Sequence, residues 1–202
     1  MQKPTQLLNQ QPFIGCYPSV IPPEACQSLI NLARVQLTPA TVVGQSGLEY
    51  SQIRISNLAW FYHNHNEIVQ SICKQIAEIV EQPIHFAQNL QVAHYGVGGK
   101  FEPHLDCYDL TQEAHKAFLE RTGQRLYTAL FYLNDVVSGG ETYFPNLNIE
   151  VTPTTGTLLV FENCQPGTSS PDQRSLHGSK ILQVGEKWIG TLWFCERPQY
   201  QI

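Results

Sequence analysis

The apolar positions of the chain change their period near residue 83. Before that point they follow helical spacing. Ala25, Leu29, Leu32 and Ala33 recur behind Pro22-Pro23-Glu24. Proline suits a first helical turn, because the N–H it lacks would have no partner there. Ile68, Ile72, Ile76 and Ile79 repeat the stripe. Asn64 or Asn66 can cap that second helix, and Pro83 stops it. After Pro83 the apolar runs shorten and become β-prone: Leu90–Tyr95, Leu126–Leu133, Glu141–Phe144, Asn148–Val151, Thr157–Phe161 and Trp188–Phe194. Turn residues such as Gly139-Gly140, Pro153 and Gly185 separate them. Two helices followed by many short strands predict an α+β chain. Its core is a jelly-roll from about residue 84 to 198, and N-terminal helices, within a helical support of residues 1–83, pack outside the barrel.

One segment breaks this rhythm. Asp109 with Gln112 resembles a capping box, and Ala114, Ala117 and Phe118 continue a short helix inside Cys107–Gly123. It reads either as a lid over a substrate or as a surface excursion without a role.

Composition narrows the class. With 202 residues, 42% apolar and 14% charged, the chain is globular and of single-domain size, so residues 1–202 are expected to form one domain. A net charge of −5 and the absence of any Lys/Arg run exclude a general nucleic-acid face. Met1 to Ile14 is polar, with Pro4 and Pro12, and lacks the apolar centre of a secretory signal. No stretch approaches the ~20 apolar residues of a membrane helix. The expected location is therefore cytoplasmic, away from membranes. Cys16, Cys26, Cys73, Cys107, Cys164 and Cys195 include no Cys-x-x-Cys pair, so free, mostly buried thiols are expected rather than a zinc knuckle.

The candidate chemistry lies in His104-Leu105-Asp106 and His177, which stands 71 residues after Asp106. On a strand, alternate side chains share a face, so His104 and Asp106 can reach one metal while Leu105 points away. Two histidines and one carboxylate are the ligand set of a mononuclear non-haem iron(II) oxygenase, which leaves three positions open. Lys187 follows His177 by 10 residues, where a cation could hold the far carboxylate of a co-substrate. Thr128, Leu130 and Tyr132 alternate on one strand, which gives Thr128 and Tyr132 a common face. His63, His65, His85, His94 and His115 lack paired spacing to a carboxylate and are expected to be surface or core histidines. Cys107 should turn away from the metal.

The wider context carries a resemblance. Gln124-Arg125-Leu126-Tyr127-Thr128-Ala129-Leu130-Phe131-Tyr132-Leu133-Asn134 leads to Gly139-Gly140-Glu141-Thr142-Tyr143-Phe144. Then come Ser175-Leu176-His177-Gly178, Gly185-Glu186-Lys187-Trp188 and Thr191-Leu192-Trp193. In that order they resemble the catalytic domain of the prolyl 4-hydroxylases, closely over about residues 50–198. The resemblance implies a double-stranded β-helix, and iron(II) held by His104, Asp106 and His177. It implies 2-oxoglutarate and dioxygen as co-substrates, succinate and carbon dioxide as co-products, and ascorbate as reductant. Lys187 would bind the distal carboxylate, with Tyr95, Thr128, Tyr132 and Trp193 lining the same pocket or simply filling the core. Arg125, and more loosely Arg54 and Trp60, match substrate-side positions. Cys195 stands where the collagen-type pattern has histidine, Gly178-Ser179-Lys180-Ile181 replaces a usual Cys-Pro, and Phe101 stands where many relatives have tyrosine.

The expected function is thus hydroxylation of a prolyl residue in a peptide or protein. The alternative is the same chemistry on another residue, a free amino acid or a small natural product. A non-enzymatic jelly-roll binding module is the reading from a different class. Iron-dependent succinate release separates enzyme from module. The oligomeric state is left open by the sequence.

Overall fold

The computed structural model describes residues 1–40, 42–44, 47–49, 53–109 and 111–201, with no side-chain description for 42–44, 47–49 and Ala114. Most of its regular structure is β-sheet, joined by three α-helices.

The first helix, α1, spans Pro23–Arg34, with proline in its first turn, Glu24 at its positive end and Arg34 at its negative end. It buries Cys26, Leu29, Ile30 and Ala33. The expected stripe is rotated: Ala25 and Leu32 sit at its flanks, only partly buried. The second, α2, spans Glu67–Val80. Asn66 caps it, its side-chain oxygen accepting from the Val69 N–H at 2.9 Å. Glu81, in the left-handed region at φ 56°, ends it two residues before Pro83. Val69 rather than Ile68 faces inward, and Ile68 is 37% exposed. The third, α3, spans Glu113–Thr122. Asp109 does not cap it; its carboxylate accepts from the Thr111 N–H and from the Gln112 amide, shaping the turn ahead of the helix.

Among the described residues the largest sheet has eight strands. Their order is Gln6–Asn9, Ile14–Tyr17, Leu158–Glu162, Arg125–Tyr132, Lys187–Cys195, Leu90–Tyr95, Asn57–Phe61 and Thr38–Pro39. The second sheet runs Ile149–Val151, Thr142–Phe144, His177–Ser179, Lys100–His104 and Arg54–Ile55. Residues 1–83 are therefore more than a helical support, because four of their short strands extend the large sheet. Those strands are two to five residues long, too short to show a period of two.

Alternation along the central strands sorts the core into two layers. Ala129, Phe131, Trp188, Leu192, Leu90 and Val92 join the buried residues of α1 and α2. Leu130, Tyr132, Ile189, Ala93 and Tyr95 form a separate cluster on the other face, with Phe144 and Leu182. Gly190 lies opposite Phe131 in register, and a Cβ there would come within 2.0 Å of the Phe131 ring. No helix among the described residues is long and apolar enough to cross a membrane.

Candidate active site

His104 ends the strand Lys100–His104, and His177 begins the strand His177–Ser179. These strands are antiparallel neighbours with His177 paired to His104. Opposed residues bring their side chains together on one face, and the two ring centroids lie 4.5 Å apart. Asp106 sits beyond the strand in a bend. The bend, rather than strand alternation, turns its carboxylate back toward the imidazoles. His104 Nε2 is 3.5 Å from Asp106 Oδ1 and His177 Nε2 is 3.6 Å from Asp106 Oδ2. One donor atom from each residue falls within 4.8 Å of the others.

The tautomers follow from the backbone. His104 Nδ1 lies 2.9 Å from the Glu102 carbonyl oxygen and His177 Nδ1 lies 3.0 Å from that of Ser175. A carbonyl only accepts, so each Nδ1 carries a proton, which leaves Nε2 as the nitrogen that can bind a metal. Burial pushes His177 down to about 4, against the pull of Asp106, which keeps the ring neutral. Burial also opposes ionisation of Asp106, but His177, His104 and Arg125 outweigh it and hold the carboxyl well below its usual range. Two imidazoles and a carboxylate on one side of a cavity fit a six-coordinate iron(II) ion with open positions.

Lys187 is 1% exposed. Its Nζ donates to the Gly140 carbonyl at 2.6 Å and to Ser179 Oγ at 2.7 Å, and lies 5.3 Å and 5.9 Å from the ring centroids of Tyr95 and Tyr132. Burial pushes it down to about 7, with Glu141 opposing. No described carboxylate lies within ion-pair distance. Gly140 has φ +72°, and a Cβ there would press on Lys187 Cδ at 3.2 Å.

Lys187, Tyr95, Thr128, Trp193 and Arg54 line one narrow cavity together with His104, Asp106 and His177. Thr128 donates to Asp106 Oδ2 at 2.7 Å and receives the Asn163 amide at 2.8 Å. Its hydroxyl proton is thus spent on the carboxylate. Arg54 donates to Gln91 Oε1 at 2.9 Å and lies 4.6 Å over Phe101. Tyr132 lies beneath Lys187. The buried hydroxyls of Tyr132 and Thr142 and the Trp193 indole N–H have no hydrogen-bond partner among the described residues.

Outside this cavity a groove of about 1440 Å³ opens, walled by α2 and α3 and reaching Asp106. Arg125 and Trp60 line it; Cys195 lines neither space, and burial pushes its thiol up to about 11. The Arg125 guanidinium lies 4.3 Å from the Trp193 ring and 4.8 Å from that of Tyr108. Trp60 continues the stack beyond Trp193 at 6.2 Å, and Phe118 beyond Tyr108 at 5.3 Å. Gln88 fixes Arg125 through Oε1 at 3.0 Å and 2.6 Å and donates to the Tyr108 hydroxyl. Cys107 turns away from the ligands, its Sγ 3.3 Å from that of Cys164.

Sequence reasoning missed Ser179, Gly140, Asn163 and Gln88. Ser179 was within reach, since it stands two residues after His177 on one strand and so shares its face. The other three act across strands and loops and leave no local signal.

The chain is similar to known proteins along most of its length. The 2OG-Fe(II) oxygenase superfamily profile matches residues 90–195. Prolyl 4-hydroxylase 5 of Arabidopsis thaliana is 34% identical over 210 residues, covering 94% of this chain and 70% of the relative. Prolyl 4-hydroxylase subunit alpha-1 of Gallus gallus is 34% identical over 192 residues, covering 94% of this chain but 37% of that subunit. The viral collagen prolyl hydroxylase of Paramecium Bursaria Chlorella virus-1, solved as its 2-oxoglutarate complex, superposes with a TM-score of 0.71 at 26% identity, covering 90% of this chain and 95% of the viral one. With an intact ligand triad and a buried lysine in the same cavity, the chain belongs to the 2-oxoglutarate- and iron(II)-dependent dioxygenases, in the prolyl 4-hydroxylase family.

Proposed function

We propose that this chain hydroxylates a prolyl residue within a peptide or protein. It would do so as one catalytic unit, residues 1–83 and the jelly-roll of 84–198 together, with α1 and α2 bracing the outer face of the large sheet. The observation that carries the reading is the arginine–aromatic column beside the metal ligands. Trp193 and Tyr108 sandwich Arg125 at 4.3 Å and 4.8 Å, where aromatic faces suit a proline ring and the guanidinium suits a backbone carbonyl. An extended polyproline II segment presents both, because its carbonyls make no internal hydrogen bonds.

Iron(II) on His104, Asp106 and His177 supplies the redox chemistry that couples dioxygen and 2-oxoglutarate to hydroxylation, with succinate and carbon dioxide released. The side chains divide the remaining work. Lys187 binds the distal carboxylate of 2-oxoglutarate; Tyr132 lies against Lys187 and Thr142 lines the same cavity. Tyr95 walls the cavity. Thr128 orients Asp106. Arg54 lines the inner cavity, and Trp60 and Arg125 the outer groove. Ascorbate is the reductant we assign by family likeness.

The test is turnover with iron(II), 2-oxoglutarate and ascorbate on proline-rich peptides, free proline and other amino acids, read by product mass. A peptide proline should gain one oxygen, coupled to succinate. Oxidation of a free amino acid or small molecule alone would replace this reading with the same chemistry on a different substrate.

A further inference from the structure

We infer that the target proline lies in an acidic sequence, whose carboxylates are read by Lys74 on α2 and Arg121 on α3. This rests on the peptide-hydroxylase reading above and names the class of peptide.

The chain as a whole is acidic, with 17 Asp and Glu against 12 Lys and Arg. The groove reverses that balance. Lys74, Arg121 and Arg125 line it, whereas its carboxylates are Glu67 and Asp106. Asp106 is turned to the two imidazoles, which leaves Glu67 as the free anion among the described lining residues. His63 adds no positive charge, since burial lowers its pKa and its ring nitrogens already engage Tyr200 and Gln88. His115 spends Nδ1 on the Asp109 N–H.

Pairing separates these cations from most others on the surface; Lys3 and Arg197, which among the described residues also meet no carboxylate, lie outside the groove. Arg34, Lys100, Lys116, Arg174 and Lys180 each meet a carboxylate of the chain itself. Among the described residues, Lys74 and Arg121 meet none, and Arg125 is held by the neutral Gln88 amide and the Asp106 carbonyl. Lys74 and Arg121 are exposed and stand on the two helical walls. Arg121 lies 6.0 Å from the Phe118 ring, at the outer end of the column that begins beside the metal ligands. A polypeptide laid along that column passes Arg121 on its way to the cavity, and Lys74 lines the same groove. At about 1440 Å³ the groove is far larger than one proline ring requires and admits several flanking residues. Carboxylates at those positions complement it, and lysines there would be repelled.

The experiment uses one proline-containing core with Glu, Gln or Lys on both flanks. Hydroxylation and fluorescence-anisotropy binding are measured for the intact enzyme, Lys74→Gln/Arg121→Gln and Lys74→Glu/Arg121→Glu. The Glu-flanked peptide should win over the Gln-flanked one by roughly fivefold to tenfold at low salt, from two exposed ion pairs. High salt should shrink the advantage. The Gln variant should lose it, and the Glu variant should come to prefer the Lys-flanked peptide, a gain that misfolding cannot produce. Equal binding of Glu- and Gln-flanked peptides, or a preference untouched by charge reversal, overturns the inference. If peptides bind by charge as expected yet none is hydroxylated, the acidic groove stands and the prolyl reading falls.

Discussion

Four neighbours decide how Asp106 sits: Thr128 donates to Oδ2, Arg125 holds the backbone carbonyl, and the His104 and His177 imidazoles face the two oxygens. Alanine at His104, Asp106 or His177 should abolish coupled turnover and weaken iron(II) binding, and full activity in any of the three would remove the metal assignment. Thr128→Val keeps the shape but removes the donor and strands the Asn163 amide. Metal affinity should fall roughly tenfold to a hundredfold, as for other partners that orient a ligand; an unchanged titration would return Thr128 to simple core packing. At this scale the sequence is most readable where chemistry needs fixed spacing, as in His104, Asp106, His177 and Lys187. The partners that aim them are less readable, because Asn163 meets Thr128 across 35 residues and Gly140 meets Lys187 across 47.

At the scale of elements, α3 is tied to the active site by stacking. Phe118 and Tyr108 are parallel within 10°, and Tyr108 in turn backs Arg125. A pair of this kind is worth about 0.5–1.5 kcal/mol beyond burial. Phe118→Ala should therefore raise the KM for peptide severalfold while leaving that for 2-oxoglutarate unchanged. Equal effects on both would make α3 a general support rather than a substrate wall. The two early helices were legible because polar caps and a 3.6-residue period mark them, though their faces are rotated: Cys26 and Val69 point inward where Ala25 and Ile68 were expected. The strands Lys100–His104 and His177–Ser179 were legible only through the spacing of the ligands, since no β-prone apolar run marks them. They are short and polar, and tertiary pairing rather than local preference makes them strands.

For the molecule as a whole, Lys187 couples folding, protonation and co-substrate binding. Its pKa is lowered from 10.5 to about 7 because burial disfavours the cation. Below about pH 7 folded and unfolded chains both hold the proton, and the full cost of burying the charge is present. Between about 7 and 10.5 the unfolded chain holds more protons, so stability rises with pH over that window. The swing is of the order of a few kcal/mol, at 1.36 kcal/mol per pKa unit. A carboxylate delivered by 2-oxoglutarate reverses this, because a buried ion pair favours the charged amine. Binding of 2-oxoglutarate at pH 8 should then take up close to one proton, and its affinity should weaken as pH rises further. Titration calorimetry in buffers of different ionisation enthalpy counts that proton, with a redox-inert divalent ion in place of iron. Lys187→Met should abolish the uptake, flatten the pH dependence of the melting temperature and weaken binding more than a hundredfold, since an orphaned buried charge costs ~3–5 kcal/mol. Lys187→Arg should restore binding in part and bring no proton uptake, because guanidinium stays charged throughout. If the unsubstituted protein binds 2-oxoglutarate at pH 8 with no proton uptake, Lys187 is already charged in the empty cavity, and the Gly140 carbonyl and Ser179 hydroxyl suffice to hold it so.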